Sequence, residues 1–279
     1  MKWPDSDLPA FEPGWVWLVG TGPGDPGLLT VHAINAINQA DVIIFDALVN
    51  RSILELAPRR CMVEYAGKRG GKPSVKQRDI TYRLIELARS GKRVLRLKGG
   101  DPFIFGRGGE EALALVDADI PFRVVPGISA GVGALAYAGI PLTHRDTNQA
   151  VTFLTGHDAQ GLVPSTVDWM ALAKGSPVIV MYMALKYHEV IVSKLIEGGR
   201  RPDEPVAIIR DATLPTQEVV EATLASLPSI VVDKSIQPPA IIVIGAVVRF
   251  RAALDWIGRM EGRTLDADPL NLYAKRDTG

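Results

Sequence analysis

The sequence of 279 residues contains one cysteine, Cys61, so it can form neither an internal disulfide nor a cysteine-based metal site. Its 31 basic and 31 acidic side chains cancel to a formal net charge of +0, which argues against a broad nucleic-acid or membrane surface. No apolar run approaches the roughly 18 residues that a membrane span needs, and the proline-broken N-terminus lacks the apolar core of a signal peptide. We therefore expect a cytoplasmic protein without nucleic-acid or membrane partners, in which Cys61 is a small buried hydrophobe.

The sequence does have a high hydrophobic content, 47%, arranged in short apolar runs that alternate with helical patterns. Apolar spacing predicts helices over 78–90, 188–197 and 250–260. Strands that are apolar throughout and alternate with helices predict mainly parallel sheets covered on both faces, with ligands at the carboxyl ends of the strands. The predicted strands are 15–19, 41–45, 62–65, 93–98, 122–125, 150–157, 177–184, 205–213 and 238–248.

The length lies above the usual single-domain range, so we expect two α/β domains. The strand pattern starts again after Pro141, which predicts an N-terminal domain over 15–140 and a C-terminal domain over 147–260. Irregular termini are expected at 1–14 and 261–279. The glycine-rich basic stretch 67–76 is compatible with a solvated loop and also with a lid beside a pocket.

The stretch 97–111, which reads LKGGDPFIFGRGGEE, ends a strand in two glycines and an acid. Gly99 and Gly100 have no Cβ, so a ligand can approach the main chain there, and Asp101 adds one carboxylate. Glu110 and Glu111 then open a helix, where acidic side chains are favourable. The same residue types are typical of a plain strand-to-helix turn, so this motif alone does not distinguish a binding site from a turn.

The first glycine-rich loop, 20–27, follows a strand, and Asp46 ends the next strand near the roughly 20-residue spacing of a dinucleotide fingerprint. That pattern by itself suggests an NAD-dependent oxidoreductase. Pro23, however, has no N–H to offer a pyrophosphate. Asp25 stands where the third glycine belongs and places negative charge where phosphate should bind.

Five stretches taken together resemble the tetrapyrrole methylases: VGTGPGDPGLLT, FDALV, LKGGDPFIFGRGGEE, VPGISAGVGALAYAGIPLTHR and VMYMA. The resemblance spans most of 16–248, and GRGGEE combined with PLTHR is similar to the branch that methylates uroporphyrinogen III. The resemblance implies two α/β domains with S-adenosylmethionine in a cleft between them, and a homodimer. It also implies two successive methyl transfers that give precorrin-2 by way of precorrin-1. Phe45 and Ala184 depart from the family, which often has tyrosine and glycine there.

The resemblance further implies a cofactor site made of small residues and backbone groups, with Asp101 accepting a hydrogen bond from an ammonium or a ribose hydroxyl. For Met183, a core-filling role at a strand end is equally compatible with the side chain. The implied cofactor residues are Pro23, Gly99, Gly100, Asp101, Ser129, Ala130, Met183, Ala212 and Ala240.

A uroporphyrinogen carries acetate and propionate groups on every pyrrole, which guanidinium groups bind with two parallel hydrogen bonds. Arg51, Arg107 and Arg145 are the candidate substrate clamps, although an arginine beside a loop is usually a solvated charge. Methylation leaves a cationic ring that must lose a proton, so Glu110 or Asp46 is the candidate base. Arg107 is assigned to orientation and charge stabilisation, because it stays protonated.

Three classes are therefore weighed: an S-adenosylmethionine-dependent carbon methyltransferase, an NAD-dependent oxidoreductase and a non-catalytic tetrapyrrole-binding sensor. The number of motifs favours the methyltransferase, with either cobalamin or sirohaem as the end product. No motif has the spacing of metal ligands, so no metal is expected, and His144 and His157 are interpreted as structural. Because no second catalytic region is fused, we expect a stand-alone methylase.

Overall fold

The computed structural model describes residues 8–66, 77–158 and 160–270. The chain forms two compact units, Met1–Ala130 and Gly131–Gly279. Each unit contains one sheet and flanking helices, which confirms the α/β class. The domain limits 15–140 and 147–260 stay a prediction, and the candidate lid at 67–76 lies outside the described residues.

The described part of the first unit contains a five-stranded sheet in the order β3-β2-β4-β1-β5. Every ladder in this sheet is parallel, as the sequence predicts, because helices connect the strands and return the chain to the same edge. The strands are β1 (Val16–Gly20), β2 (Val42–Phe45), β3 (Met62–Tyr65), β4 (Val94–Lys98) and β5 (Phe122–Val125). The helices are α1 (Val31–Gln39), α2 (Arg51–Leu54), α3 (Gln77–Arg89) and α4 (Gly108–Asp117).

Both faces of the first sheet are covered, because alternate strand residues point to opposite sides. On one face Trp17 and Leu95 pack against apolar residues of α1 such as Ile37. On the other face Leu18 packs with Leu84 of α3 and with α4. Burying each such side chain contributes about 1.5 to 3 kcal/mol, so this two-sided core fixes the positions of the strand ends.

The carboxyl ends of β2 and β4 form the topological switch point of this sheet. These two strands are neighbours, yet the chain leaves β2 towards β3 on one side and leaves β4 towards β5 on the other. In open α/β sheets ligands bind in the crevice outside the carboxyl ends of the strands at such a point. The fold therefore predicts a site at the carboxyl edge of this sheet, beside the loops that follow β2 and β4.

The described part of the second unit contains another five-stranded sheet, in the order β6-β7-β10-β8-β9. Its strands are β6 (Thr152–Thr155), β7 (Ile179–Tyr182), β8 (Pro205–Arg210), β9 (Glu218–Thr223) and β10 (Ala240–Ile244). Its helices are α5 (Ala130–Tyr137), which begins at the unit boundary, α6 (Trp169–Gly175), α7 (His188–Glu197), α8 (Leu227–Asp233), α9 (Arg251–Leu254) and α10 (Trp256–Met260). The predicted helix 188–197 is confirmed, whereas the predicted helix 250–260 is interrupted at Asp255, which caps α10.

The second sheet is mixed, so the expectation of a mainly parallel sheet is corrected for this unit. Only β6 and β7 pair in parallel, while β10 runs antiparallel to β7 and β8, and β8 runs antiparallel to β9. A central strand buried on both faces is apolar throughout whatever its direction, so the sequence pattern reports burial and not orientation. Strand β9 was missed because its EVVEAT sequence has no continuous apolar run.

No helix among the described residues is both long enough and apolar enough to cross a membrane.

Candidate functional site

The loops after β1, β2 and β4 contact one another at the carboxyl edge of the first sheet. Gly22 and Gly100 form an antiparallel bridge, in which Gly100 N donates to Gly22 O at 2.7 Å and Gly22 N donates to Gly100 O at 3.2 Å. A Cβ on Gly99 would lie 2.6 Å from the Cβ of Leu48 in the loop after β2. The predicted cofactor loops therefore form one continuous backbone surface in this unit.

Three glycines allow a further close approach at this edge. A Cβ on Gly20 would lie 2.5 Å from the carbonyl oxygen of Gly100 and 2.6 Å from the backbone N of Gly127. Real Cβ atoms do not approach backbone atoms so closely, and Gly100 also has a φ of 67°, which favours glycine. The glycines are thus required by the packing of the loops themselves, whatever they bind.

The Asp101 carboxylate joins two of these loops. Its Oδ1 accepts a hydrogen bond from Phe103 N at 2.8 Å, and its Oδ2 accepts one from Gly127 N at 3.0 Å. Gly100 lies beside the segment that opens α5, since a Cβ there would lie 3.6 Å from Ala130 N and 3.8 Å from the Cα of Ser129. The structure therefore brings most of the predicted cofactor residues of the first unit together.

Pro23 follows the Gly22 bridge and is half-buried in the loop after β1. Asn50, which sequence reasoning missed, holds the same loop: its Nδ2 donates to Gly24 O at 2.8 Å. Its Oδ1 accepts from Ser52 N at 3.1 Å and so caps α2, a role for which asparagine is a recognisable signal. Arg51, the first residue of α2, follows Asn50 directly and is exposed.

Three buried charged residues and the partly exposed Asp46 form a network beneath this edge. Glu111 of α4 is 0% exposed, and its two oxygens lie 3.1 Å from Arg96 Nε and 3.1 Å from Lys98 Nζ. Arg96, which is 2% exposed, also places its Nη2 3.5 Å from Oδ2 of Asp46. The network links β2, β4 and α4, and only Asp46 had been singled out from the sequence.

The network is well connected, as buried charges must be. Arg96 Nη1 donates to the carbonyl oxygen of Leu97 at 2.9 Å and to that of Ile44 at 3.4 Å. Desolvation lowers the pKa of Lys98, and the nearby charge of Arg96 lowers it further, although Glu111 opposes both effects. Removing one member would leave a buried charge unpaired, which typically costs about 3 to 5 kcal/mol.

Asp46, the first residue after β2, is partly accessible. Its Oδ1 accepts a hydrogen bond from Leu48 N at 3.1 Å, while Oδ2 faces Arg96. The side chain nevertheless keeps 28% of its surface exposed. A carboxylate that is held on one side and open on the other suits a proton acceptor.

Arg107 and Glu110, two residues predicted for the site, form an ion pair with each other. Arg107 donates from Nε at 2.9 Å and from Nη2 at 2.6 Å to the two carboxylate oxygens of Glu110. This bond is the main cause that holds the pKa of Glu110 below its ordinary value. Because a lowered pKa weakens a base, the pairing counts against Glu110 as the proton acceptor.

An exposed apolar segment precedes Arg107. Phe103, Ile104 and Phe105 are 55%, 39% and 39% exposed, and Phe105 has a φ of 51°. Non-glycine residues with positive φ store strain, which is often a feature of functional loops. Sequence reasoning did not single these residues out, although three large apolar residues in a glycine-flanked loop are unusual at a surface. Apolar side chains beside an arginine suit a ligand that has a flat ring system and carboxylate arms.

In the second unit, Met183, Ala212 and Ala240 lie at one edge of the sheet. Met183 follows β7, Ala212 follows β8, and Ala240 begins β10, which runs antiparallel to both strands. Met183 is 44% exposed, so it does not fill the core of this unit. Non-glycine residues here also have positive φ, namely 53° at Met183, 48° at Asp211 and 65° at Thr213. Such strain supports a binding role at this edge.

Arg145 lies in the second unit, whereas Arg51 and Arg107 lie in the first. It is exposed in the turn between His144 and Asn148, which pair as an isolated bridge. The ring of His144 packs against that of Phe250 in a tilted arrangement with centroids 4.2 Å apart, and its Nδ1 accepts a hydrogen bond from Asp146 N at 3.3 Å. These contacts support the structural interpretation of His144.

The first loop does not have the geometry of a dinucleotide site. Asp25 Oδ1 accepts a hydrogen bond from Gly27 N at 2.7 Å and caps the 3-10 turn Pro26–Leu28. This turn separates the glycine loop from α1, so α1 does not start directly from the loop as a fingerprint requires. The oxidoreductase alternative is therefore not favoured. Within the described ranges, no group of three or more His, Cys, Asp and Glu residues is placed to hold a metal ion.

Comparison with known proteins defines the class. The family model of tetrapyrrole (corrin/porphyrin) methylases matches residues 16–228. The chain belongs to this family.

Individual proteins of known name are also similar to this chain. The chain is 65% identical to the uroporphyrinogen-III C-methyltransferase of a Sinorhizobium species over 262 residues, 94% of each chain. It is 49% identical over 248 residues to the siroheme synthase of Pseudomonas fluorescens (strain SBW25), of which it spans 53%. A crystal structure of uroporphyrin-III C-methyltransferase from Thermus thermophilus, complexed with S-adenyl homocysteine, is similar with a TM-score of 0.73 and 38% identity. That match covers 84% of this chain and 98% of the other.

Proposed function

We propose that this chain is an S-adenosylmethionine-dependent C-methyltransferase that converts uroporphyrinogen III to precorrin-2 by way of precorrin-1, for cobalamin or sirohaem synthesis. The observation that carries the proposal is 65% identity over 94% of both chains to the Sinorhizobium enzyme. The Thermus relative holds S-adenyl homocysteine, the product left when S-adenosylmethionine gives up its methyl group. This supports S-adenosylmethionine as the methyl donor.

The residues at the carboxyl edge of the first sheet fit this cofactor. The loops after β1, β4 and β5 present glycine backbone groups and one carboxylate, Asp101. Such groups hydrogen-bond an adenosyl and amino-acid moiety at close range. When bound, S-adenosylmethionine supplies a methyl group that its sulfonium already activates. The proposed contacts are Pro23, Gly99, Gly100, Asp101, Ser129 and Ala130, with Met183, Ala212 and Ala240 from the second unit.

The residues of the chain then have two tasks. The first is to align the pyrrole carbon with the methyl group. We assign this alignment to Arg51, Arg107 and Arg145, whose guanidinium groups would bind the acetate and propionate groups of the substrate. The second is to accept a proton. The pyrrole carbon would form a bond to the methyl carbon as the bond between that carbon and the sulfonium sulfur breaks and S-adenosylhomocysteine leaves. The ring would then be cationic, and its neutrality would return when it loses a proton. We assign this proton to Asp46, because its carboxylate is partly exposed and Glu110 is paired with Arg107.

The experiment that tests the function is a turnover assay with freshly reduced uroporphyrinogen III and isotopically labelled S-adenosylmethionine. We expect a product that carries two labelled methyl groups, with a singly methylated intermediate at early times. Binding of the tetrapyrrole without any labelled product would contradict the proposal and identify a sensor. Titration calorimetry with S-adenosylhomocysteine and with NAD forms the control, and binding of NAD alone would support an oxidoreductase.

The proposal includes a homodimer in the cytoplasm. The homodimer rests on the family resemblance, and the location rests on the balanced charge and the single cysteine. Sedimentation equilibrium at micromolar concentration is expected to give twice the chain mass of 30.1 kDa. A mass equal to one chain would contradict the dimer without affecting the assignment of the reaction.

A further inference from the structure

The guanidinium of Arg96 touches two carboxylates with different surroundings. Its Nε lies 3.1 Å from Glu111, which is completely buried, and its Nη2 lies 3.5 Å from Asp46, whose side chain is 28% exposed. Arginine presents its N–H groups in a rigid planar fork, so fixing one edge of the fork fixes the other. The contact with Glu111 in the core therefore determines how the Arg96 guanidinium is oriented at the edge of the sheet.

The buried side of this arrangement is held firmly. The second oxygen of Glu111 lies 3.1 Å from Lys98 Nζ. Both carboxylate oxygens therefore have a cationic partner, which restrains rotation of the carboxylate. Arg96 and Lys98 are two residues apart on β4, which places both side chains on the same face of the sheet towards α4. Nη1 of Arg96 also donates to the carbonyl of Leu97 at 2.9 Å. The guanidinium plane is therefore fixed by contacts that lie away from the solvent.

Within the described ranges, two contacts hold the exposed side, that of Asp46. Oδ1 of Asp46 accepts from Leu48 N at 3.1 Å, a local contact within the loop, and Oδ2 faces Arg96. The backbone contact alone leaves the carboxylate free to turn about it. The ion pair with Arg96, 3.5 Å between Nη2 and Oδ2, restricts that freedom.

We propose that Arg96 is a positioning residue, which Glu111 anchors in the core and which sets the orientation of the Asp46 carboxylate for proton removal. This inference rests on the proposed function, in which Asp46 is the base. Because Arg96 is only 2% exposed, its effect on the reaction passes through Asp46 and not through direct contact with the substrate.

The test is a double-mutant cycle of Asp46→Asn, Arg96→Met and the double variant. We measure kcat, KM for both substrates and, by calorimetry, the affinity for S-adenosylhomocysteine. Arg96→Met is expected to lower kcat at least tenfold while KM and the affinity stay within about twofold of wild type. In the Asp46→Asn background, Arg96→Met is expected to cause no further loss of kcat, because residues that act as one unit are strongly non-additive.

Arg200→Met is the matched control. Arg200 is 7% exposed against 2% for Arg96 and is likewise paired with a carboxylate, that of Glu204, but it belongs to the second unit, whereas Arg96, Asp46 and Glu111 belong to the first. Removing it perturbs a buried ion pair to a similar degree. We expect its kcat to fall at least fivefold less than that of Arg96→Met. Equal losses of kcat at the two positions would overturn the positioning role.

Arg96→Lys covers the case in which Arg96→Met does not fold. This variant keeps the positive charge but loses the planar guanidinium group with its paired N–H donors. We therefore expect a kcat between those of wild type and Asp46→Asn, with normal affinity for S-adenosylhomocysteine. A wild-type kcat in folded Arg96→Lys or Arg96→Met would overturn the inference, as would losses that multiply in the double variant. An unchanged kcat in Asp46→Asn would instead overturn the assignment of the base, which separates the two failures.

Discussion

The carboxylate of Asp101 accepts a hydrogen bond from the backbone N–H of Gly127, 26 positions further along the chain, at 3.0 Å. Its other oxygen accepts from Phe103 N at 2.8 Å. Both oxygens therefore hold backbone of the site, whatever else they contact. A side chain in this position preorganises the surface to which a ligand binds, so stability and affinity are coupled here.

Asp101→Asn is expected to lower both quantities. The amide retains one acceptor oxygen but turns an N–H₂ group towards the second backbone donor, which loses a charge-assisted bond worth about 1.5 to 3 kcal/mol. Thermal unfolding and calorimetry with S-adenosylhomocysteine measure the two effects. Asp117→Asn, at an exposed position of α4, is the control and should change neither. A folded Asp101→Asn with wild-type affinity would remove Asp101 from the cofactor site.

Gly20→Ala is expected to destabilise the first unit by about 3 kcal/mol, at the upper end of the usual cost of overpacking. The added Cβ would lie 2.5 Å from the carbonyl oxygen of Gly100, and the backbone cannot yield as a flexible side chain does. Gly109→Ala is the matched control, because a Cβ there meets nothing within 4 Å. Urea unfolding should show the control at or slightly above wild-type stability, since alanine favours helix.

Arg107→Ala and Arg145→Ala are expected to lower kcat/KM for uroporphyrinogen III about tenfold or more. Each removes one charge-assisted carboxylate contact of about 1.5 to 3 kcal/mol. Calorimetry should show near wild-type affinity for S-adenosylhomocysteine. Lysine at either position should restore only part of the rate, because a point charge does not reproduce the fork. If the alanine variants lose the cofactor and keep normal substrate kinetics, the two sets of residues have been assigned the wrong way round.

The ion pair between Arg107 and Glu110 predicts a pH-dependent difference in stability. Arg107 lowers the pKa of Glu110 in the folded protein, so the pair stabilises above the unfolded value of about 4.3. The contribution is lost as the pH falls through the lower folded value. Wild type should therefore melt slightly above Glu110→Gln near neutral pH, with the difference vanishing in acid. The difference is small because both side chains are more than half exposed. A constant difference at all pH values would contradict this origin.

Much of the fold follows from the sequence, because most strands of the first sheet are short, mainly apolar runs and the loops after β1 and β4 are rich in glycine. The direction of the strands in the second sheet cannot be predicted in this way, since burial makes β7, β8 and β10 apolar whichever way they run. Strand β9, which reads EVVEAT and is only partly buried, has no continuous apolar run and so is not predicted.

The glycines and Asp101 were predictable as site residues, because their types carry a local meaning in turns. The buried network was not. Arg96 and Lys98 look like cations at the end of a strand, and Glu111 looks like an ordinary acid at a helix N-terminus. Only the packing of α4 on β4 shows that these charges meet in the core.

The position of β5 at the edge of the first sheet affects the order in which the sheet can assemble during synthesis of the chain. Strand β1 pairs with β4 on one side and with β5 on the other, although β5 is synthesised roughly a hundred residues after β1. A chain that ends near residue 120 leaves β1 unpaired at the edge of the sheet, although every residue of β1 is buried in the complete protein. Such a chain also lacks Gly127, the partner of Asp101. Unpaired apolar edges associate with one another. In a chain that stops before residue 122, self-association at this open edge therefore competes with completion of the site.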